Sequence, residues 1–67
     1  MFKKITTPLV NLSKFRVKTP DGDKPIMRVV EMWMGKQGIA KVALLIQSFK
    51  GLSVYTTENE EDIYMIP

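Results

Sequence analysis

The pentapeptide TPDGD, at residues 19–23, is the strongest local signal of structure in this sequence. Its proline presets φ for the first turn position, and its glycine accepts the left-handed conformation that closes a type I turn with a β-bulge. The residues before it alternate, with Phe15 and Val17 on one face and basic side chains on the other. We therefore predict a β-hairpin, entered by a half-buried strand over residues 9–19 whose outer face is basic.

The segment after this turn, Pro25–Met34, fits two structures. As a strand it continues the hairpin, because it is rich in β-branched residues and contains Trp33. As a helix it is capped by Asp23, has its proline in the first turn and ends at Gly35. We favour the strand because the turn chemistry before it is specific, and we predict a connecting loop over residues 35–38.

The segment Ile39–Lys50 decides the fold class. Its apolar residues at positions 39, 42, 43, 46 and 49 have helical spacing, and Gly51 stands where a glycine often ends a helix. Positions 40, 42, 44 and 46 also alternate as they would in a buried strand. The length of the segment and its alanine, leucine and glutamine content favour the helix.

We therefore predict an α+β fold, in which one helix packs on a small antiparallel sheet of four to five strands. The sheet contains the hairpin and two later strands, Leu52–Thr57 and Ile63–Ile66, with a solvated acidic turn between them. The alternative is an all-β small barrel of five strands, in which residues 39–50 also form a strand.

Composition limits the classes of function. The chain has 67 residues, enough for one domain over residues 1–67, and its 45% hydrophobic and 25% charged residues are ordinary for a globular protein. The absence of cysteine and histidine excludes disulfides, thiol nucleophiles, imidazole bases and the usual zinc sites. We expect a non-enzymatic binding protein with no catalytic residues, no cofactor and no metal site. No apolar run is long enough for a membrane span, so we expect no membrane partner and a cytoplasmic location.

The charge is distributed unevenly along the chain. Residues 1–50 hold all ten basic residues and three acidic ones, a net charge of +7, whereas residues 51–67 hold four acidic residues and no basic one, −4. Single-stranded nucleic acid is bound by basic side chains that contact phosphates and aromatic rings that stack on bases. We therefore predict single-stranded nucleic acid as the partner and a basic strand face as the site. The predicted nucleic-acid-binding residues are Lys14, Arg16, Lys18, Lys36, Lys41 and Tyr55.

A second class of function is protein binding. Methionines surround the single tryptophan, and such flexible apolar side chains suit an adaptable contact surface. The predicted protein interface is Met32, Trp33 and Met34, and the acidic turn at residues 58–62 is another possible contact. This alternative is a small regulator or inhibitor, of the kind that viruses and plasmids encode, acting on a host or partner protein. The small core and the apolar run over residues 26–34 also predict a homodimer.

Overall fold

The computed structural model describes residues 2–7 and 11–67. Its five strands are β1 (Phe15–Thr19), β2 (Gly22–Gly35), β3 (Gly38–Ser48), β4 (Gly51–Thr57) and β5 (Ile63–Met65). Helical structure in the described residues is limited to α1 (Lys3–Thr6) and to 3-10 helical turns at Leu12–Lys14 and Glu60–Asp62. Within the described ranges, no helix is long and apolar enough to cross a membrane.

All five strands belong to one antiparallel sheet in the order β4-β3-β2-β1-β5. The first four strands form a meander of hairpins, and the chain then returns so that β5 pairs with the other side of β1. Residues 22–25 of β2 pair with β1, whereas residues 26–35 pair with β3. Three register shifts interrupt the second pairing. Irregularities of this kind bend and twist a strand, so β2 joins two differently oriented halves of the sheet.

The three hairpins have the same turn design. Each turn has two residues followed by a glycine with positive φ, +110° at Gly22, +116° at Gly38 and +104° at Gly51. In the first hairpin, the hydroxyl of Thr19 donates to the carbonyl of Gly22 and accepts a hydrogen bond from the backbone N–H of Asp21. Ser48 does the same in the third hairpin. The hairpin predicted at residues 19–23 is therefore present. The same pair of hydroxyl hydrogen bonds occurs again in the turn at residues 48–51.

The predicted helix over residues 39–50 is wrong, and with it the α+β fold class. Most of this segment forms β3, which pairs with β2 on one side and with β4 on the other. Val42, Leu44 and Ile46 are buried on its core face, and Ala43 is buried between them on the opposite face. Because apolar residues occupy both faces of β3, some of them also have helical spacing. The all-β alternative correctly makes this segment a strand. Its barrel is not observed, because β4 and β5 are the outer strands of an open sheet among the described residues.

The other predicted strands differ mainly in their bounds. The strand expected over residues 9–19 begins at Phe15, after the first 3-10 helical turn, and residues 8–10 lie outside the described residues. Pro25–Met34 lies within β2, as the favoured interpretation has it. The two later strands are observed as β4 and β5.

The hydrophobic core includes side chains from both halves of the sheet. Aliphatic and aromatic side chains from α1, from the residue before it and from every strand except β4 form one buried cluster: Phe2, Ile5, Phe15, Val17, Ile26, Val42, Leu44, Ile46 and Ile63. Polar contacts hold α1 in place, since the backbone N–H of Lys3 donates to Glu60 Oε1 at 3.2 Å and Lys4 Nζ donates to the carbonyl of Ile63 at 3.4 Å. We call the side of the sheet that points away from this core the outer face.

Candidate nucleic-acid interface

The outer face of β1 carries two of the predicted basic residues. Phe15 and Val17 are buried, so the side chains that alternate with them, Arg16 and Lys18, lie on the opposite face of the strand. Residues two apart on a strand are separated by about 6–7 Å. The structure therefore brings these two positive charges together, with Lys18 exposed and Arg16 half-buried.

A tyrosine of β5 completes this group. Arg16 lies opposite Tyr64 in the pairing of β1 with β5, and Lys18 Nζ lies 5.8 Å from the centroid of the Tyr64 ring. The Tyr64 hydroxyl donates to the carboxylate of Asp23, and Arg16 Nη2 donates to the Asp23 carbonyl at 3.1 Å. We refer to Arg16, Lys18, Asp23 and Tyr64 as the Tyr64 cluster.

The electrostatics of the Tyr64 cluster keep the phenol neutral. The hydrogen bond that Tyr64 donates to the negative carboxylate of Asp23 raises the pKa of the phenol above its ordinary value, and removal of the ring from water acts in the same direction. The neighbouring Arg16 lowers this pKa by a smaller amount. The cluster therefore favours the protonated phenol and places an aromatic ring beside two basic side chains.

A second cation–aromatic pair lies on the outer face of β2 and β3. Trp33 and Lys41 are cross-strand partners, and Lys41 Nζ lies 4.5 Å from the centroid of the indole ring. The indole remains 38% exposed. This pair joins a residue predicted for nucleic-acid binding to one predicted for a protein interface. Together with the Tyr64 cluster, it gives the outer face two aromatic rings that each have a cation beside them.

The other predicted nucleic-acid-binding residues lie elsewhere. Lys14 is exposed in the 3-10 helical turn before β1 and is not part of the strand, and Lys36 is exposed in the turn between β2 and β3. Tyr55 is half-buried opposite Leu44, on the core side of β4. The six predicted residues therefore do not form one continuous site. Alternation along one strand places Arg16 and Lys18 together, whereas no such local rule relates the remaining four.

The predicted protein interface is exposed along β2. Met32 is 49% exposed and Met34 is 74% exposed, and the neighbouring Met27 and Val30 are also about half exposed. From residue 26 onward, β2 pairs with β3 on one side, and no strand of the described residues pairs with its other side. The second half of β2 thus combines apolar side chains with an edge on which no strand of the described residues pairs.

The acidic turn has structural contacts of its own. Glu60 accepts the N–H of Lys3, and the buried Thr57 donates its hydroxyl to Asp62 Oδ2 at 3.0 Å. Thr57 Oγ1 also accepts the N–H of Asn59 at 3.0 Å. Across residues 2–7 and 11–67, no group of three or more acidic side chains has the arrangement needed to hold a metal ion. These intramolecular contacts explain why Glu60 and Asp62 occur in the turn, and no binding partner is needed to explain them.

Comparison with protein-family models, with curated proteins and with solved structures finds no match for this chain. The chemistry of the exposed side chains therefore carries the functional assignment. On the outer face it consists of two basic side chains beside a phenol, on β1 and β5, and an ammonium group over an indole, on β2 and β3.

Proposed function

We propose that this protein binds single-stranded nucleic acid through the outer face of its bent sheet, without catalysing a reaction. The observation that carries the proposal is the Tyr64 cluster, in which Arg16 and Lys18 lie on one face of β1 beside the ring of Tyr64. Phosphates of a single strand are neutralised by basic side chains, and its unpaired bases stack on aromatic rings. The cluster offers both kinds of contact on adjacent strands.

The spacing and the charge of the cluster support this assignment. The separation of about 6–7 Å between Arg16 and Lys18 along β1 is close to the distance between successive phosphates of an extended single strand. Asp23 is the acidic member of the cluster, but its carboxylate accepts the hydrogen bond of Tyr64 and its carbonyl accepts that of Arg16. On the same outer face, Trp33 and Lys41 supply a second ring and a second cation for a strand that crosses the sheet.

Salt-dependent binding of the double variant Arg16→Gln/Lys18→Gln tests the proposal. Each lost phosphate contact should reduce the slope of log affinity against log salt by about 0.7 for a single strand, so the double variant should reduce it by about 1.4. Fluorescence anisotropy of a labelled oligonucleotide at several salt concentrations measures this slope. The charge-preserving variant Arg16→Lys/Lys18→Arg should keep the slope of the parent protein.

The matched control is Lys3→Gln/Lys36→Gln, which removes two exposed charges away from β1. It should keep the slope of the parent, because neither residue belongs to the Tyr64 cluster. A decrease of about 0.7 would instead show that Lys36 contacts a phosphate, as the sequence predicts. Equal losses in the two double variants would show that net charge, not the Tyr64 cluster, determines binding. Absence of binding by the parent at low salt would refute the proposal outright.

A second candidate function, protein binding, is favoured by the edge of β2 that pairs with no strand of the described residues. Met27, Met32 and Met34 are exposed along a stretch that has a strand partner on one side among the described residues. Such an edge can add a strand from another protein or from a second copy of this chain. Sedimentation equilibrium across micromolar concentrations tests the predicted homodimer, and a constant mass of 7.7 kDa would exclude it.

A further inference from the structure

A cleft of about 410 Å³ lies between the tips of two hairpins. The turn between β1 and β2 forms one wall, and the turn between β3 and β4, with Phe49 and Lys50, forms the other. Ser53 and Tyr55 of β4 also line it, as does Ile46 from the core cluster. Its volume lies within the range of about 300–1,000 Å³ that is usual for sites that bind small ligands. The cleft is therefore large enough for a nucleotide.

Phe49 is the unusual residue of this cleft. It is 78% exposed at the tip of a hairpin, so its ring contributes little to the core, although such turn positions are normally polar. Lys24 Nζ lies 4.6 Å from the centroid of the ring. An exposed ring with an ammonium group beside it is a suitable surface for stacking a base and pairing with its phosphate.

We propose that this cleft binds one nucleotide of the single strand, an inference that rests on the proposed function. Phe49 stacks on the base, and the ammonium groups of Lys24 and Lys50 contact the phosphate. The lining holds these two positive charges against the single carboxylate of Asp21, so its balance favours an anion. Tyr55, predicted from the sequence as a nucleic-acid-binding residue, lines this cleft and does not lie on the outer face.

The first test is the affinity of Phe49→Ala for a labelled oligonucleotide, measured by fluorescence anisotropy. Loss of one base–aromatic stack should weaken binding by about 5- to 150-fold, and Phe49→Tyr, which keeps the ring, should bind within a few-fold of the parent. The matched control is Leu52→Ala, which removes an exposed apolar side chain on the other face of β4. It should not change the affinity.

The second test uses the charges of the cleft. Lys24→Gln/Lys50→Gln should reduce the salt slope by about 0.7, because both ammonium groups contact the same phosphate. Asp21→Asn should increase the affinity because it removes the only carboxylate of the cleft lining. Far-ultraviolet circular dichroism of each variant shows whether the sheet is intact. A decrease in affinity for Asp21→Asn would contradict the proposed contact with phosphate.

The outcomes separate this inference from the proposed function. If Arg16→Gln/Lys18→Gln weakens binding while Phe49→Ala behaves as Leu52→Ala does, the strand binds the outer face and the cleft inference is refuted. If the parent binds no oligonucleotide, both fail. A last outcome would also refute a site for one nucleotide of a strand. In that outcome, a free nucleoside monophosphate shifts the NMR signals of Phe49, but oligonucleotides do not bind.

Discussion

Replacement of Gly51 by alanine should destabilise the protein through the backbone alone. Gly51 has a φ of +104°, a region that side chains with a Cβ rarely adopt, yet a Cβ placed there would have no heavy atom within 4 Å. The cost is therefore conformational and amounts to about 1–3 kcal/mol. For a domain of this size the total free energy of unfolding is about 3–10 kcal/mol, so the loss is a large fraction of it.

Thermal unfolding followed by circular dichroism measures this cost. A loss of 1 kcal/mol lowers the melting temperature of a domain this small by about 4–8 °C, so Gly51→Ala should lower it by about 4–24 °C. Gly51→Asn should cost less, since asparagine enters the left-handed region more readily than alanine. A melting temperature of Gly51→Ala equal to that of the parent, or equal losses for alanine and asparagine, would refute the reasoning.

Three further predictions concern other contacts. Alanine at Gly35 would place its Cβ 2.9 Å from the Cβ of Ala40, so Gly35→Ala and Ala40→Gly should together lower the melting temperature by less than the sum of their separate effects. The raised pKa of Tyr64 implies that its hydrogen bond to Asp23 stabilises the fold below about pH 10 and is lost as the pH rises through the raised value. Asp23→Asn should therefore lower this pKa in an ultraviolet absorbance titration. Leu44→Ala removes a fully buried side chain and should cost about 2–5 kcal/mol in urea unfolding, and a cost below 1 kcal/mol would contradict its place in the core.

The hairpins show how far local sequence predicts this fold. The turn at residues 19–23 was predictable because proline, aspartate and glycine each have a known role in such a turn. The turn at residues 48–51 has the same design, with Ser48 in place of Thr19 and a positive-φ glycine at its end. Its sequence, SFKG, lacks the proline and aspartate, so the sequence predicts the end of a helix at Gly51 instead of a turn. A hydroxyl residue three positions before a glycine was the available signal.

The apolar patterns of the long strands β2 and β3 also explain why the predicted fold class is wrong. β3 has paired strands on both sides, and its two faces both carry buried residues, such as Leu44 and Ala43. The alternation at positions 40, 42, 44 and 46 is therefore accompanied by a helical spacing that arises by coincidence, and periodicity alone does not decide between them. Two of the three register shifts add one residue to β2 and reverse the face on which its following side chains lie, whereas the third adds Ala40 to β3. A regular pattern of period two could not appear over Ile26–Met34.

The candidate site was predictable only where a single strand determines it. Alternation in β1 places Arg16 and Lys18 on one face, and it requires no knowledge of the rest of the fold. Tyr64 joins them through the pairing of β1 with β5, and Phe49 meets Lys24 because the two hairpin tips converge. Both contacts depend on the order and bending of strands, which composition and periodicity do not determine.

The position of β1 in the sheet has a consequence for synthesis of the chain. One of its neighbours, β2, follows directly in the sequence, whereas the other, β5, begins only at Ile63. As the chain leaves the ribosome, the meander from β1 to β4 is complete while one edge of β1 still has no strand from β5. Open strand edges invite pairing with other chains. We therefore expect chains truncated before Ile63 to aggregate more readily than chains that include β5, because only β5 covers this edge of β1 in the described sheet.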